Sequence, residues 1–312
     1  MTFKTFYALW APDQIWAPGT TKAMDLAAGS VTFANEPLKS VRRSHVESWV
    51  KAMSVKGLAP STVKTRYNNV RSVLRAAERD RVIASDPSQG VTLPRVRRAD
   101  AAMRLPTAEE VGAILAAADT AWRPLFAVAA LAGLRLGEAA ALRTGDVDFL
   151  RHTIRVERQV QRLPGGEVEI RPPKFGSERT VYIPKALTSI LAAHVTLRHP
   201  DPDMTRWLFG IEGRPPHQNT VGHQWRRARA KAGVEGLTLH SMRHFYASGL
   251  IADSCDVVTV QRALGHGSAT VTLSTYAHLW PTAEDRTRKA AEGLASSVLE
   301  PDTQRGLAGI RG

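Results

Sequence analysis

Residues 240–244 of this chain are His-Ser-Met-Arg-His. On a helix, positions three apart lie on one face, so the sequence predicts that His240 and Arg243 project in the same direction. His240 and His244 also have the i,i+4 spacing of two zinc ligands. A zinc-protease helix needs a glutamate directly after the first histidine, and Ser241 stands there instead, so the metal interpretation is poor.

Two glycine-containing segments flank this stretch in the chain. Residues 133–138 are Gly-Leu-Arg-Leu-Gly-Glu and place Arg135 at the start of a predicted helix, while residues 264–267 are Leu-Gly-His-Gly. Taken alone, both signals are weak. An Arg135–Glu138 pair at i,i+3 is an ordinary helix feature, and a histidine such as His266 after a glycine is more often structural.

Two further residues are equally weak when each is taken alone. Lys174 lies in a predicted turn between strands, within Pro-Pro-Lys-Phe-Gly-Ser-Glu-Arg, and is the only lysine between Lys64 and Lys185. A turn lysine is usually just exposed to solvent. Tyr276 occupies an apolar helix position, where a lone tyrosine is more often part of the core.

Together and in this order, the five segments resemble the tyrosine recombinase family, also called phage integrases. The matching elements are Gly-Leu-Arg-x-Gly-Glu, a hairpin lysine, His-x-x-Arg-His, Leu-Gly-His, and a tyrosine ten residues later. The resemblance covers residues 106–280 and, more loosely, 1–100. Met242, Thr144 and Phe175 depart from the residue types that are commoner in the family.

The resemblance implies six catalytic residues, which are Arg135, Lys174, His240, Arg243, His266 and Tyr276. Arg135 and Arg243 would clamp the two non-bridging oxygens of a DNA phosphate and neutralise charge in the transition state. A lysine at either position would not give the same forked geometry. His266 would hydrogen-bond a phosphate oxygen, and Glu138 would orient Arg135.

The nucleophile implied by the resemblance is Tyr276, which would form a 3′-phosphotyrosine intermediate. A phenol has a pKa near 10, so it needs help to lose its proton, and His240 is the expected general base. Lys174 would protonate the leaving 5′ oxygen. Because the intermediate keeps the energy of the broken bond, no ATP, metal or other cofactor is expected.

Composition points to a polyanionic partner. The 312 residues carry a formal net charge of +13, with a pI of about 10.3. The excess is +9 over residues 1–104 and +4 over the remainder. By itself such a charge fits nucleic-acid binding and simple solubility equally well.

A basic stripe follows the outer face of one predicted helix. For a single helix, a solvated surface is the more common explanation, but this stripe lacks the interleaved acids of a salt-bridged face. The expected DNA-binding residues are those of the stripe and of a basic segment after it: Lys64, Asn68, Arg71, Arg75, Arg95, Arg97 and Arg98.

The predicted fold class is mainly α with an α+β part. Residues 1–100 are expected to form a helical core-type DNA-binding domain, and residues 101–300 a mixed α/β catalytic domain. Residues 94–106 would link them, and 301–312 would form a flexible tail. Alternating patterns over Thr153–Gln161, Glu167–Arg171 and Thr180–Ile183 predict a small antiparallel sheet.

The resemblance also implies partners. Double-stranded DNA with attachment-type sites is the expected substrate, bound by a homo-tetramer that is a monomer when free, with a possible directionality factor. The first domain begins near residue 1, which predicts a compact enzyme without an arm-binding domain. Cys255 is the only cysteine, and the longest apolar run is short. We therefore expect no disulfide, no membrane span and a location on DNA in a bacterial cytoplasm.

Several alternatives stay open at this stage. A type IB DNA topoisomerase uses a similar residue set, and a non-catalytic DNA-binding protein could share the fold. A serine recombinase is less favoured, because no serine lies in a suitable early motif.

Overall fold

The computed structural model describes residues 1–95, 103–163, 167–198, 203–280 and 283–299. They form two compact units, one of residues 1–103 with 162–169 and the other of 104–161 with 170–312. Arg97, Arg98 and the predicted tail lie outside the described residues. The mainly helical fold with small antiparallel sheets confirms the predicted fold class.

Helices dominate the first unit. They are α1 (Phe3–Trp10), α2 (Pro18–Ala28), α3 (Arg43–Val55) and α4 (Pro60–Arg79). Trp49 is fully buried, and its indole N–H donates to the Ser30 carbonyl at 2.8 Å. The Tyr67 hydroxyl donates to the Ser88 carbonyl at 2.6 Å. Both aromatic residues therefore bury their rings while their polar atoms stay satisfied.

Helix α4 carries the basic stripe on the side opposite its buried residues. Val63, Val70 and Leu74 are among the fully buried residues of this helix. The exposed stripe residues are Lys64, Asn68 and Arg75; Arg71 is half-buried, with its Nε 3.7 Å from Asp86 Oδ2. Arg95 is exposed as well. The predicted amphipathic helix is therefore present.

The second unit is built mainly from helices. They are α5 (Ala108–Ala117), α6 (Arg123–Leu131), α7 (Leu136–Ala140), α8 (Lys185–Arg198), α9 (Gln218–Lys231), α10 (Leu239–Ala252), α11 (Val257–Leu264), α12 (Ala269–Tyr276) and α13 (Ala283–Leu299). Helix α6 is apolar all round because it is buried and packs against α10. Among the described helices, none is both long and apolar enough to cross a lipid bilayer.

The strands form two small antiparallel arrangements. Strands β1 (Val147–Asp148), β2 (Thr153–Val156) and β5 (Arg179–Tyr182) make a sheet of order β1-β2-β5, in which Ile154 lies opposite Val181. Strands β3 (Gln159–Arg162) and β4 (Val168–Arg171) pair separately.

The predicted continuous strand Thr153–Gln161 is wrong in one respect. The chain leaves the first sheet after Val156 and enters the second pair at Gln159. At the break, Arg158 Nη1 lies 2.5 Å from Oδ2 of buried Asp146. Arg158 keeps the inward phase of the alternation, with a side chain only 19% exposed, although Glu157 and Arg158 belong to neither strand pair.

Candidate active site

The C-terminal end of helix α11 holds three arginines. The last carbonyls of a helix lack partners within it and carry partial negative charge, which favours cations. Three successive carbonyls each accept a hydrogen bond from a different guanidinium: Ala263 from Arg179 Nε at 3.0 Å, Leu264 from Arg243 Nη2 at 2.7 Å and Gly265 from Arg135 Nη2 at 2.9 Å. One helix end thus gathers three positive charges.

Arg135 lies at the N-terminus of α7, where Glu138 holds it on two sides. The Arg135 backbone N–H donates to Glu138 Oε2 at 3.0 Å, and its Nη1 lies 2.7 Å from Glu138 Oε1. The Arg135 side chain remains 23% exposed, whereas that of Glu138 is 1% exposed. The guanidinium therefore keeps access to a ligand while its carboxylate partner does not.

Glu138 is shared between two arginines. Its Oε2 also lies 2.9 Å from Nη2 of Arg179. Burial by itself raises the pKa of Glu138, but the hydrogen bond and charge of Arg179 and the charge of Arg135 outweigh it and hold the pKa below its usual value. The carboxylate is therefore ionised at neutral pH.

Arg243 is almost completely buried, at 2% exposure. Besides Leu264, its Nη1 donates to the Gly133 carbonyl at 2.6 Å. Gly133 has φ +65°, and a Cβ there would lie 2.3 Å from the Tyr246 ring, so the site requires a glycine. Burial and the charge of Arg135 lower the pKa of Arg243 to about 9, which leaves the guanidinium charged at neutral pH.

Tyr276 is the last residue of α12 and is 1% exposed. Its hydroxyl lies 2.7 Å from Nδ1 of His244, and its ring stacks on that of His266 with centroids 6.4 Å apart. Burial raises the pKa of Tyr276, while the charges of Arg243 and Arg135 act in the opposite direction. The phenol is thus protonated, and it lies within the electrostatic influence of the two arginines.

Two histidines of α10 lie beside the phenol in different ways. His244 contacts Tyr276 directly, whereas His240 is exposed and stands perpendicular to the His244 ring, with centroids 4.7 Å apart. His244 is not among the catalytic residues predicted from the sequence. The sequence signal for it is the i,i+4 spacing from His240, which places both imidazoles on one face of the helix.

Lys174 is the predicted site residue that stands apart from this cluster. It is exposed and opens a 3-10 turn, Lys174–Gly176, between β4 and β5. Within the described part of the chain, no hydrogen bond or ion pair joins Lys174 to the clustered residues. The other predicted site residues gather around the end of α11: Arg135, Glu138, His240, Arg243, His266 and Tyr276.

Two imidazoles of the site predict a pH dependence of stability. Burial, with neighbouring positive groups, lowers the pKa of His244 and of His266 to about 4. In the unfolded chain a histidine titrates near 6.5. Between these values the unfolded chain binds protons that the folded protein resists, so the free energy of unfolding falls as the pH drops from about 6.5 to 4.

Thermal unfolding at a series of pH values checks this expectation. The unfolding temperature should decrease below about pH 6.5, and the decrease should be smaller in a His266→Gln variant. His278 is exposed, so a His278→Gln control should keep the wild-type profile. Identical profiles for all three proteins would contradict the assignment.

The described residues contain no group of three or more His, Cys, Asp or Glu side chains arranged to hold a metal ion. The charge that faces the centre of the site comes instead from guanidinium groups. Arg135, Arg179 and Arg243 meet within hydrogen-bonding distance of one helix end. Such a site suits an anionic ligand with several oxygens, and a phosphodiester fits that description.

Proteins similar in sequence to this chain point to a single family. The chain is 27% identical over 266 residues to a tyrosine recombinase of Thermosipho africanus, covering 80% of this chain and 84% of that protein. It is 23% identical over 260 residues to the ICEBs1 integrase of Bacillus subtilis, covering 80% of this chain and 70% of the relative.

Solved structures agree in fold. The Tn1549 transposon integrase in complex with a circular intermediate DNA superposes with a TM-score of 0.80 at 21% identity, covering 95% of this chain and 100% of that one. A lambda integrase dimer bound to a core site gives a TM-score of 0.65 at 16% identity, covering 88% of this chain and 95% of the other. The sequence profile of the phage integrase family matches residues 105–282, and the chain therefore belongs to the phage integrase family, the tyrosine recombinases.

Proposed function

We propose that this protein is a site-specific DNA recombinase that cleaves and rejoins DNA strands through a 3′-phosphotyrosine at Tyr276. The observation that carries the proposal is geometric: the Tyr276 ring stacks on His266, and the two carbonyls just before His266 hold the guanidinium groups of Arg135 and Arg243. A phosphodiester bound by these arginines would lie within reach of the phenol. The names of the family relatives support the same activity.

The proposed cleavage step follows from the chemistry of these groups. Arg135 and Arg243 bind the non-bridging oxygens and stabilise the charge that develops on them, and His266 donates to one of these oxygens. The Tyr276 oxygen forms a bond to phosphorus as the bond from phosphorus to the 5′ oxygen breaks. Lys174 gives a proton to the departing 5′ oxygen. Religation is the reverse, with a 5′ hydroxyl of a partner strand as the nucleophile.

His240 remains our proposed acceptor of the phenolic proton, and His244 holds the phenol. The low pKa keeps His244 neutral at physiological pH, so the ring can hydrogen-bond the phenol but is a weak base. Its contact with the Tyr276 hydroxyl therefore keeps the proton on the phenol until DNA is bound. Movement of Lys174 with its turn would complete the set of catalytic groups.

We further propose that the first unit is a helical core-type DNA-binding domain, with residues 94–106 as a linker to a catalytic domain of residues 101–300. On DNA the protein would act as a homo-tetramer on paired attachment-type sites, with a directionality factor as a possible partner. The Tn1549 and lambda integrases were solved bound to DNA, which supports DNA as the ligand here. The bacterial cytoplasm is the proposed location.

The basic stripe of α4 predicts a salt-dependent contribution to DNA binding. Lys64→Gln and Arg75→Gln each remove one exposed charge, so each should lower the slope of log K against log salt by about one. Fluorescence anisotropy with duplex DNA at several salt concentrations measures this slope. Lys51→Gln, an exposed change on α3, serves as the off-stripe control. Equal slopes for stripe variants and wild type would remove the stripe from the interface.

Covalent trapping tests the proposed reaction. A nicked duplex releases a short fragment after cleavage, so religation fails and the protein–DNA adduct accumulates. We expect an adduct that survives denaturing gel electrophoresis, formed in the presence of a metal chelator. An absolute requirement for added metal would contradict the proposed mechanism.

A type IB topoisomerase is the second candidate, because its residue set is similar. Relaxation of supercoiled plasmid and recombination between two sites on one plasmid separate the two activities. Recombination supports the proposal, whereas relaxation without recombination would favour the topoisomerase. The family match favours the recombinase.

A further inference from the structure

Arg179 is a buried arginine that the proposed chemistry does not use. It begins β5, and its side chain is 8% exposed. Its guanidinium donates to the carbonyl of Ala263 at 3.0 Å and to that of Ser177 at 3.2 Å, and it pairs with Glu138 at 2.9 Å. A buried charge must be fully partnered to be tolerated, and these three partners come from three separate segments.

The shared carboxylate of Glu138 makes the charge of the site depend on Arg179. Arg135, Arg179 and Arg243 contribute three positive charges and Glu138 one negative charge, which leaves a net charge of +2. A phosphodiester in its five-coordinate transition state carries close to two negative charges. Without Arg179, Glu138 would neutralise Arg135 alone, and the net charge would fall to +1.

Arg179 also fixes the backbone that holds the other two arginines. Gly265 has φ +64°, and a Cβ there would lie 2.6 Å from Nη1 of Arg179, so the chain passes directly over this guanidinium. The adjoining carbonyls accept from Arg243 and Arg135. Through Ser177, which ends the 3-10 turn of Lys174, the same side chain reaches the segment that carries the proposed acid.

We propose that Arg179 is a positioning residue. By sharing the Glu138 carboxylate, it keeps Glu138 from neutralising the whole charge of Arg135, and it thereby sets the affinity of the site for the phosphate and its transition state. The inference rests on the proposed function and deepens it, because it concerns the phosphate site of the same centre. It assigns Arg179 no contact with DNA, since the side chain is buried.

Three variants separate charge from structure. Arg179→Gln removes the charge, Arg179→Lys keeps it without the fork, and Arg179→Gln combined with Glu138→Gln restores a net charge of +2. A glutamine at position 138 still offers an oxygen to Arg135. Adduct formation at saturating nicked DNA should fall by about 10- to 100-fold in Arg179→Gln, the range for losing a buried charged hydrogen bond.

The double variant is the decisive one. If Arg179 acts by balancing Glu138, the second substitution should raise the adduct rate by roughly fivefold or more over Arg179→Gln, as expected for two coupled residues. A merely structural role predicts that the double variant is no faster than Arg179→Gln. The affinity for whole duplex DNA, measured by anisotropy, should change much less than the adduct rate, because this site would bind only one of the several phosphates that the protein contacts.

A second readout does not depend on DNA cleavage. Inorganic phosphate should raise the thermal unfolding temperature of the wild-type protein, and it should raise that of Arg179→Gln by less. In the double variant and in Arg179→Lys the increase should return towards the wild-type value. Arg151, which is 85% exposed, provides the matched control. Arg151→Gln removes one charge from the same unit and should leave both readouts at wild-type values.

The outcomes are distinguishable. An adduct rate in Arg179→Gln equal to wild type, or a double variant without recovery, overturns the inference. If the wild-type protein forms no adduct, the proposed function fails, and the phosphate-dependent shift still decides the role of Arg179. If Arg179→Gln does not fold, the comparison moves to Arg179→Lys with and without Glu138→Gln, at net charges of +3 and +2. An adduct rate that is no higher with Glu138→Gln would then overturn the inference. Equal phosphate shifts in all variants would also overturn the inference.

Discussion

Tyr276→Phe is expected to abolish the covalent protein–DNA adduct while leaving DNA binding intact. The substitution removes the one atom that would bond to phosphorus and keeps the buried ring stacked on His266. The lost hydrogen bond to His244 should cost about 1 kcal/mol of stability, so the variant should fold. Denaturing electrophoresis of a nicked-duplex reaction, with anisotropy for binding, measures both properties.

Tyr182→Phe is the matched control for this experiment. Tyr182 is 79% exposed on β5, and removal of its hydroxyl should leave the adduct unchanged. A denaturant-resistant adduct in Tyr276→Phe would mean that another residue attacks the phosphate, and the proposed function would have to be abandoned.

Arg243→Lys should damage both activity and stability, even though it keeps a positive charge. A single ammonium cannot reproduce the forked donation to the Gly133 and Leu264 carbonyls, which lie 2.6 Å and 2.7 Å from the guanidinium. We expect adduct formation to fall by about 10²–10³-fold, as for loss of a transition-state donor. Stability should fall by about 2–3 kcal/mol, because a buried carbonyl loses a charged partner.

Adduct kinetics at saturating DNA and urea unfolding measure these two losses. Arg151→Lys, at an 85% exposed position, makes the same chemical change at the surface. It should change stability by less than about 0.5 kcal/mol. If Arg243→Lys behaved like this control, the buried guanidinium would not be the anchor that its geometry indicates.

Local spacing allowed much of this molecule to be predicted. The 3.6-residue period predicts a helix with a basic stripe on its outer face, and α4 carries that stripe opposite buried Val63, Val70 and Leu74. The i,i+3 separation placed Arg135 against Glu138. In these cases the residues that interact lie within one or two turns of each other, so helix geometry alone brings them together.

Contacts between distant segments cannot be predicted from local spacing. Arg179 is 41 residues from Glu138 and 84 from Ala263, and no periodicity joins them. The Tyr276 hydroxyl reaches His244 across 32 residues. Partners of this kind are set by how helices and loops pack, which the pattern of a single segment does not encode.

The predicted strand Thr153–Gln161 differs from the structure for a similar reason. Ile154, Val156 and Val160 are buried and keep a period of two across the break. Arg158 continues the same phase, so the alternation gives no sign that the chain changes sheets. The end of a strand depends on which other strands it pairs with, and the alternation within one segment does not encode that pairing.

The anchoring of three arginines by main-chain oxygens has a consequence for mutational tolerance. The carbonyls of Ala263 and Leu264 accept hydrogen bonds without any help from their side chains. Substitutions at these two positions can therefore alter packing but still leave the oxygens that hold the guanidinium groups. Sensitivity is concentrated instead at Gly265, whose backbone conformation is hard for any other residue to adopt. A centre built in this way tolerates most side-chain changes in the helix that supports it but not replacement of the glycine that ends that helix.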